Sequence, residues 1–197
     1  MSEIILFFNT INFNWSIIET AAVIFSIIYV ILIAKENIWC WAAAAISVTL
    51  YIYICYNANL LAETGLQIFY LIMVIFGYYN WKKNDSELII CSWNSYKHIL
   101  IIILGTLLTF LMGYYFTNYT SASIPILDSF TTTFSIIATY MVIKKVLENW
   151  IYWIVIDIVS VYIYFSRELH LTSFLFIIYT IIAIIGYFRW LYKKTHV

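Results

Sequence analysis

Two stretches decide the fold, E-N-W-I-Y-W at Glu148–Trp153 and Y-T-I-I-A-I-I-G-Y-F-R-W at Tyr179–Trp190, because the chain contains a second, similar copy of each. Earlier in the chain, E-N-I-W-C-W at Glu36–Trp41 is followed by Y-L-I-M-V-I-F-G-Y-Y-N-W at Tyr70–Trp81. The motif F-S-I-I also occurs twice, the first time at Phe25–Ile28 and the second at 134–137. A period of about 110 residues is too long for a solenoid repeat. The pattern therefore indicates a duplicated unit, which in an apolar chain favours a membrane bundle with a site between its halves.

The two Glu-Asn dipeptides give one alignment of the copies. On this alignment Trp41 matches Trp153, and Asp157 falls opposite about Ala45. The second copy is then three residues shorter than the first between its Glu-Asn dipeptide and its closing Trp.

The composition is that of an all-α integral membrane protein. Of 197 residues, 64% are apolar and 10% are charged, and there is a single proline. A soluble domain of this size could not bury that much apolar surface. No basic patch or known module indicates nucleic-acid binding. The three cysteines lack metal-ligand spacing, so the sequence predicts neither a metal site nor a cofactor.

Seven apolar segments are long enough to cross a bilayer, and short polar connections separate them. They are Trp15–Ala34, Ile38–Tyr56, Gly65–Asn80, His98–Phe116, Ile126–Ile143, Trp150–Phe165 and Leu171–Leu191.

The basic residues predict the orientation of these spans. With seven crossings, one side of the membrane carries nine Lys or Arg residues and the other carries only Arg167. Because basic residues favour the cytosolic side, we expect the N-terminus outside and the C-terminus in the cytosol.

The repeat assigns a role to the fourth span. Each copy comprises three helices, at 15–81 and 126–191, so a directly following second copy would be inverted. One extra crossing at 98–116 restores the orientation, which predicts a single domain over 1–197 in a 3+1+3 arrangement with parallel halves. This is the parallel-repeat architecture of SWEET-type transporters.

Polar side chains within the spans indicate a ligand site, because they are costly in hydrocarbon. Gln67 and Tyr70 share one helix face, as do Trp153 and Asp157. No Lys or Arg lies mid-span to pair with Asp157. A cavity with flat aromatic walls and a few directional polar groups suits a small planar ring, either cationic or bearing hydroxyls. The candidate lining residues are Trp41, Gln67, Tyr70, Trp153, Asp157 and Tyr179.

No catalytic motif is present. The chain lacks G-x-x-x-x-G-K-[ST], H-E-x-x-H and G-x-S-x-G, and its three histidines are scattered at span ends and in the tail. We therefore predict no catalytic residues and no enzymatic activity.

Four sequence features of this chain resemble the PnuC family of bacterial vitamin transporters. They are E-N-I-W-C-W, the helix around Gly65-Leu66-Gln67, E-N-W-I-Y-W-I-V-I-D and the pair of Y-x6-G-Y-x-x-W stretches. The resemblance covers about 15–190. It implies a seven-helix SWEET-like fold in the inner membrane, commonly a homotrimer, and facilitated diffusion of nicotinamide riboside that a cytosolic kinase then traps by phosphorylation. It places the six candidate residues along the substrate path and Asn149 beside them.

Four hypotheses remain open from the sequence. The first is a nicotinamide riboside uniporter in which substrate enters past Asn57 and Glu63. The second keeps the fold and carries thiamine or another B vitamin, since the first motif departs from the family's usual E-N-x-W-G-W-P at Cys40 and Ala42. The third is a membrane enzyme with Asp157 and Glu63 as acid and base, and the fourth is a receptor that transports nothing.

Overall fold

The computed structural model describes residues 17–57, 61–83, 89–120, 124–167 and 169–196, apart from the side chains of 61–63 and 171. These residues form seven α-helices. The helices are α1 (Ile17–Ala34), α2 (Cys40–Asn57), α3 (Leu61–Lys83), α4 (Ser95–Tyr119), α5 (Pro125–Ile143), α6 (Asn149–Ser166) and α7 (His170–Thr195).

Six of these helices are long and apolar enough to cross a membrane. The exception within the described residues is α3, whose 23 residues include Gln67, Asn80, Lys82 and Lys83. At about 1.5 Å per residue, α3 is still as long as the hydrocarbon core is thick. The chain is therefore an all-helical membrane protein, as its composition predicted.

Six helices form a closed ring. Each packs against two neighbours, in the order α1, α2, α3, α5, α6, α7 and back to α1. We call α1–α3 the first half and α5–α7 the second half. The halves therefore meet at two seams, α1 against α7 and α3 against α5.

The remaining helix, α4, lies outside the ring. Among the described helices its backbone lies close only to α5, through a face of small residues at Gly105, Thr109 and Gly113, while His98 near its start contacts Tyr152 of α6. A Cβ atom at Gly105 would lie 2.9 Å from the Phe134 ring, so glycine permits this close approach. Asn94 caps the start of α4, since its side chain accepts a hydrogen bond from the backbone N–H of Lys97 at 3.1 Å.

Structural features of the first half recur in the second half at a constant offset along the sequence. The offset is 109 residues, which is, for example, the separation of Glu36 from Lys145. The bounds of α2 and α6 differ by this offset at both ends, and so do the starts of α3 and α7. The turn after α1 contains Glu36 with φ 53°, and the turn after α5 contains Lys145 with φ 49°. Both turns close with equivalent backbone bonds, Asn37 N–H to Leu32 at 2.9 Å and Val146 N–H to Met141 at 2.9 Å.

This offset corrects the alignment drawn from the Glu-Asn dipeptides, which are spaced more widely along the chain. Glu36 stands in the left-handed turn, whereas Glu148 immediately precedes α6 with φ −68°. The structural counterpart of Trp41 is therefore Trp150 and not Trp153, and Asp157 lies opposite Val48 and not Ala45. The two dipeptides are alike in sequence only, and no gap in the second copy is needed to align the halves.

A tryptophan packed on a glycine fixes the approach of the last two helices in each half. In the first half the Trp41 ring covers Gly77 and meets Trp81 edge-on, with ring centroids 5.4 Å apart. In the second half Trp150 covers Gly186 and meets Trp190 in the same way, also at 5.4 Å. These contacts show that the two glycines allow close helix packing.

We predict that Gly77→Ala destabilises the protein, because the added Cβ would lie 2.2 Å from the Trp41 ring. The expected loss is about 1–3 kcal/mol, the usual cost of overpacking a core. Thermal unfolding in detergent, followed by Trp fluorescence, measures it. The matched control is Gly65→Ala in the same helix, where a Cβ meets nothing within 4 Å. Equal melting temperatures for the two variants would contradict the packing argument.

Candidate functional site

The ring encloses a cavity with two lobes. The first, which we call the Asp157 lobe, has a volume of about 180 Å³ and lies between α1 and the second half. Its polar and aromatic lining residues are Ser26, Tyr29, Trp150, Trp153, Asp157, Phe176 and Tyr179.

The second lobe, which we call the Gln67 lobe, is also about 180 Å³. It lies mainly within the first half, between α1, α2 and α3, with contributions from α5 and α6. Its polar and aromatic lining residues are Ser26, Tyr29, Trp41, Ser47, Tyr51, Gln67, Tyr70, Thr139 and Trp153.

Three side chains, Ser26, Tyr29 and Trp153, line both lobes. Trp153 reaches them from α6 and offers a large flat surface at their junction. Because its structural counterpart in α2 is Ala44, the first half has no equivalent ring. The two lobes therefore meet at a junction that has one aromatic side chain from each half, Tyr29 and Trp153.

Asp157 gives its lobe an acidic group that the Gln67 lobe lacks. Its side chain is 3% exposed, and no described basic residue forms an ion pair with it. The counterpart residue, Val48, lines the Gln67 lobe and is apolar. In the other lobe, Gln67 supplies two donors and one acceptor, whereas its counterpart Phe176 supplies only a ring. The two lobes thus have about the same volume but differ in chemistry.

The indole N–H groups of Trp41 and Trp150 are buried, and neither has a hydrogen-bond partner among the described residues. Both tryptophans line a lobe and are 1% exposed. A buried donor without an acceptor is unfavourable by roughly 1–3 kcal/mol. Each lobe therefore has a donor that a polar ligand or a water molecule would satisfy.

Hydroxyl pairs join the two halves beside the lobes. The Ser26 hydroxyl donates to the Val23 carbonyl at 2.8 Å, so the Tyr179 hydroxyl is the donor in its 2.5 Å bond to Ser26. At the structurally equivalent positions of the other seam, the side chains of Ser135 and Tyr70 also interact. The motif F-S-I-I contains both serines, which explains why it occurs twice.

The structure brings six of the residues predicted from the sequence to this cavity: Trp41, Gln67, Tyr70, Trp153, Asp157 and Tyr179. Asn149 is not among the lining residues, since its side chain is fully buried and donates to the Val146 carbonyl at 2.6 Å. Asn57 is exposed at the end of α2 and donates to the Tyr53 carbonyl. Glu63 belongs to α3, but its side chain lies outside the described residues.

Several lining residues were not predicted. Trp150 was left out because the Glu-Asn alignment assigned its place to Trp153. Tyr29 directly follows the first F-S-I-I motif, but that motif was used only to recognise the repeat, and Tyr51 lies in a stretch without charged or motif residues. No group of three His, Cys, Asp or Glu side chains capable of holding a metal ion occurs among the described residues.

A family model described as "Nicotinamide mononucleotide transporter" matches residues 16–192. This chain belongs to that family. The nicotinamide riboside transporter PnuC of Escherichia coli is 26% identical over 210 residues, covering 91% of this chain and 87% of the relative. PnuC of Haemophilus influenzae is 25% identical, covering 86% and 78%.

Other relatives broaden the comparison. The riboflavin/roseoflavin transporter RibM of Streptomyces davaonensis is 22% identical over 162 residues, covering 79% of this chain and 76% of the relative. A crystal structure of the vitamin B3 transporter PnuC matches with a TM-score of 0.73 at 20% identity, covering 98% of this chain and 87% of that one. The structural match shows a shared fold, and the family and these relatives are transporters.

We predict that Ser26→Ala lowers thermal stability, because the Tyr179 hydroxyl loses its acceptor at the seam between α1 and α7. The expected loss is about 0.5–1.5 kcal/mol, and thermal unfolding in detergent measures it. Thr49→Ala is the control, since that hydroxyl bonds only within its own helix, to Ala45 at 2.7 Å. A larger loss for Thr49→Ala than for Ser26→Ala would contradict the cross-seam role.

Proposed function

We propose that this chain imports nicotinamide riboside by facilitated diffusion. The observation that carries the proposal is the cavity around Trp153, where an aromatic wall stands beside the carboxyl group of Asp157. Membership of the transporter family and the names of the PnuC relatives support the same cargo.

The chemistry of nicotinamide riboside matches the difference between the lobes. Its pyridinium ring is flat and cationic, so it can stack on Trp153 and pair with Asp157 in the Asp157 lobe. Its ribose hydroxyls and amide need directional partners, which Gln67, Tyr70 and Tyr179 offer. The unpaired indole donors of Trp41 and Trp150 are further partners for oxygen atoms.

Two other vitamins are alternatives. The similarity to RibM favours riboflavin, but the flavin ring is uncharged and would leave Asp157 without a cationic partner. Thiamine is a planar cation and satisfies Asp157 nearly as well as nicotinamide riboside does. We rank nicotinamide riboside first, because the PnuC relatives described above have higher identity to this chain than RibM has and cover more of it.

The 3+1+3 arrangement belongs to the proposal as well. The constant offset between the halves supports two parallel three-helix copies, at 15–81 and 126–191, with the helix at 98–116 as the linker. Parallel copies need an odd number of intervening crossings, which requires α3 to be a seventh span and makes the chain one SWEET-like domain. Its length and its packing in the ring between α2 and α5 support that role.

The distribution of charge supports the location. Lysines at the ends of α3 and α7 and in the turns after α1 and α5 lie at one end of the ring, which we call the basic end. We place the basic end and the C-terminus in the cytosol, the N-terminus outside, and the protein in the bacterial inner membrane. Substrate would then enter near Asn57 and Glu63, at the opposite end.

Facilitated diffusion only brings the electrochemical potential of the cargo to the same value on both sides of a membrane. Continued uptake therefore requires that the cargo be changed after arrival, and phosphorylation by a cytosolic kinase would trap it by adding a negatively charged group. The carrier itself would leave its cargo chemically unaltered.

We also propose a homotrimer, because the chain resembles a family whose members are commonly trimeric. The exposed apolar surface of α4 offers an area for contacts between the subunits.

We expect purified protein to bind nicotinamide riboside more tightly than thiamine, riboflavin or nicotinamide mononucleotide in calorimetry. Trp153→Ala should weaken this binding by roughly 10–100-fold, since stacking of a base on an aromatic side chain contributes about 1–3 kcal/mol. Asp157→Asn should weaken binding of the two cations more than that of riboflavin.

The control for both variants is Trp39→Ala. Trp39 belongs to the first Glu-Asn motif, but it is 70% exposed and lines neither lobe. Tighter binding of thiamine would change the cargo and keep the site. Equal affinities for Trp153→Ala and wild type would refute the proposed pocket, and chemical change of any ligand would instead support the enzyme hypothesis.

We also predict that uptake into proteoliposomes persists after the proton gradient is collapsed, because a uniporter draws only on the gradient of its cargo. Radiolabelled nicotinamide riboside with and without a protonophore gives the measurement, and protein-free liposomes give the background. Complete loss of uptake with the protonophore would overturn the uniport part of the proposal.

A further inference from the structure

The cavity ends on an apolar floor at the basic end of the ring. Ile33 and Val142 line the Asp157 lobe, and they occupy equivalent positions in the last turns of α1 and α5. Below them, a continuous buried cluster contains residues from both halves, including Cys40, Ile143 and Leu147. Cargo moving from the lobes towards the basic end would have to cross this floor.

Two reciprocal hydrogen bonds hold the floor together. The indole N–H of Trp81 on α3 donates to the Ile143 carbonyl at 3.2 Å, and that of Trp190 on α7 donates to the Ile33 carbonyl at 3.3 Å. Each bond runs from the third helix of one half to the end of the first helix of the other. Asn80 adds a bond to the Ile143 carbonyl at 2.7 Å.

An ion cluster seals the same end. Glu36 pairs with Lys145 at 3.2 Å and with Lys193 at 2.8 Å, and we call these three residues the Glu36 cluster. Glu36 belongs to the first half, and both lysines belong to the second. The Lys145 ammonium also lies 4.8 Å from the Trp81 ring centroid. The side chains of Glu36 and Lys145 are only 10% and 12% exposed.

The charges of this cluster are asymmetric. Glu36 and Lys145 occupy equivalent left-handed positions in the two halves, yet one is acidic and the other basic. A single carboxylate therefore carries both ion pairs across the seam. Its removal would leave two ammonium groups on the second half without an ion-pair partner among the described residues of the first half.

We propose that the Glu36 cluster is the latch of an inner gate, and that its opening separates the two halves at the basic end and exposes the floor beneath the cavity. This inference rests on the proposed transport function. The contacts suit a gate because they are few, polar and concentrated on one residue, whereas the apolar floor behind them blocks the passage of water. The ion pair from Lys193 to Glu36 can exchange with water at lower cost than the buried Lys145 pair, because the Lys193 side chain is 56% exposed.

Cys40 is a native reporter for this opening. Its thiol is fully buried within the floor cluster in the closed structure. Full-length protein in detergent is treated with a charged maleimide, and modification of each cysteine is followed in time by mass spectrometry of the peptides. Complete labelling after denaturation gives the reference value for each peptide.

We expect Glu36→Gln to raise the initial rate of Cys40 modification roughly tenfold, which corresponds to about 1.4 kcal/mol in the opening equilibrium. Glu148→Gln is the matched control. Glu148 carries the same charge and also follows a turn near the basic end, but its partners are His98 and the Trp93 backbone, which belong to neither half. Its substitution should leave the Cys40 rate within about twofold of wild type.

A charge reversal separates gating from general damage to the fold. Glu36→Lys should raise the Cys40 rate, and the added substitution Lys145→Glu should bring it back towards wild type by restoring an acidic partner. An unchanged Cys40 rate in Glu36→Gln, or a double variant no slower than the single one, would overturn the latch.

The test is independent of the cargo. Cys40 modification needs no ligand, so the expected rates support the latch even if proteoliposomes move no nicotinamide riboside. Conversely, normal uptake of nicotinamide riboside together with unchanged Cys40 rates would leave the proposed function standing and remove the latch.

Discussion

The indoles of Trp81 and Trp190 provide the constraint on which the rest of the ring depends. Each donates its N–H group to a backbone carbonyl at the end of the other half's first helix. The last carbonyls of a helix have no partner within it and must find one elsewhere in a bilayer. The Ile143 carbonyl accepts from Trp81 and Asn80, whereas the Ile33 carbonyl accepts from Trp190 in addition to the backbone N–H of Glu36 at 2.8 Å. The indole bonds therefore support the ends of α1 and α5 and join the two halves, which encloses the cavity above them.

The two halves are alike in their helix packing but differ in several of the side chains that line the cavity. The packing contacts recur from one half to the other at a constant offset, and the two lobes have about the same volume, about 180 Å³ each. Trp41 and Tyr70 recur as Trp150 and Tyr179, but three other cavity positions differ: Asp157 corresponds to Val48, Gln67 to Phe176 and Trp153 to Ala44. A symmetric frame thus presents an asymmetric surface, as is needed to hold a ligand whose two ends differ in charge and polarity.

The helices were largely predictable from the sequence, because runs of apolar residues and polar turns set their limits; α5, for example, was expected at Ile126–Ile143 and runs from Pro125 to Ile143. Six cavity residues were also predictable, since polar groups on one face of a span are costly unless they meet a site. The pairing of the copies was not. Trp150 reaches the cavity because it packs on Gly186, a contact between helices that no local pattern reveals.

The turns at Glu36 and Lys145 have a consequence for stability. Both residues have a positive φ although neither is a glycine. For residues with a side chain, the left-handed region of backbone conformations is small and unfavourable. Residues with a side chain adopt this conformation at a cost, so the contacts around each turn must hold it in place. The Glu36–Lys145 ion pair joins the two turns directly, and each corner is therefore supported from the opposite half.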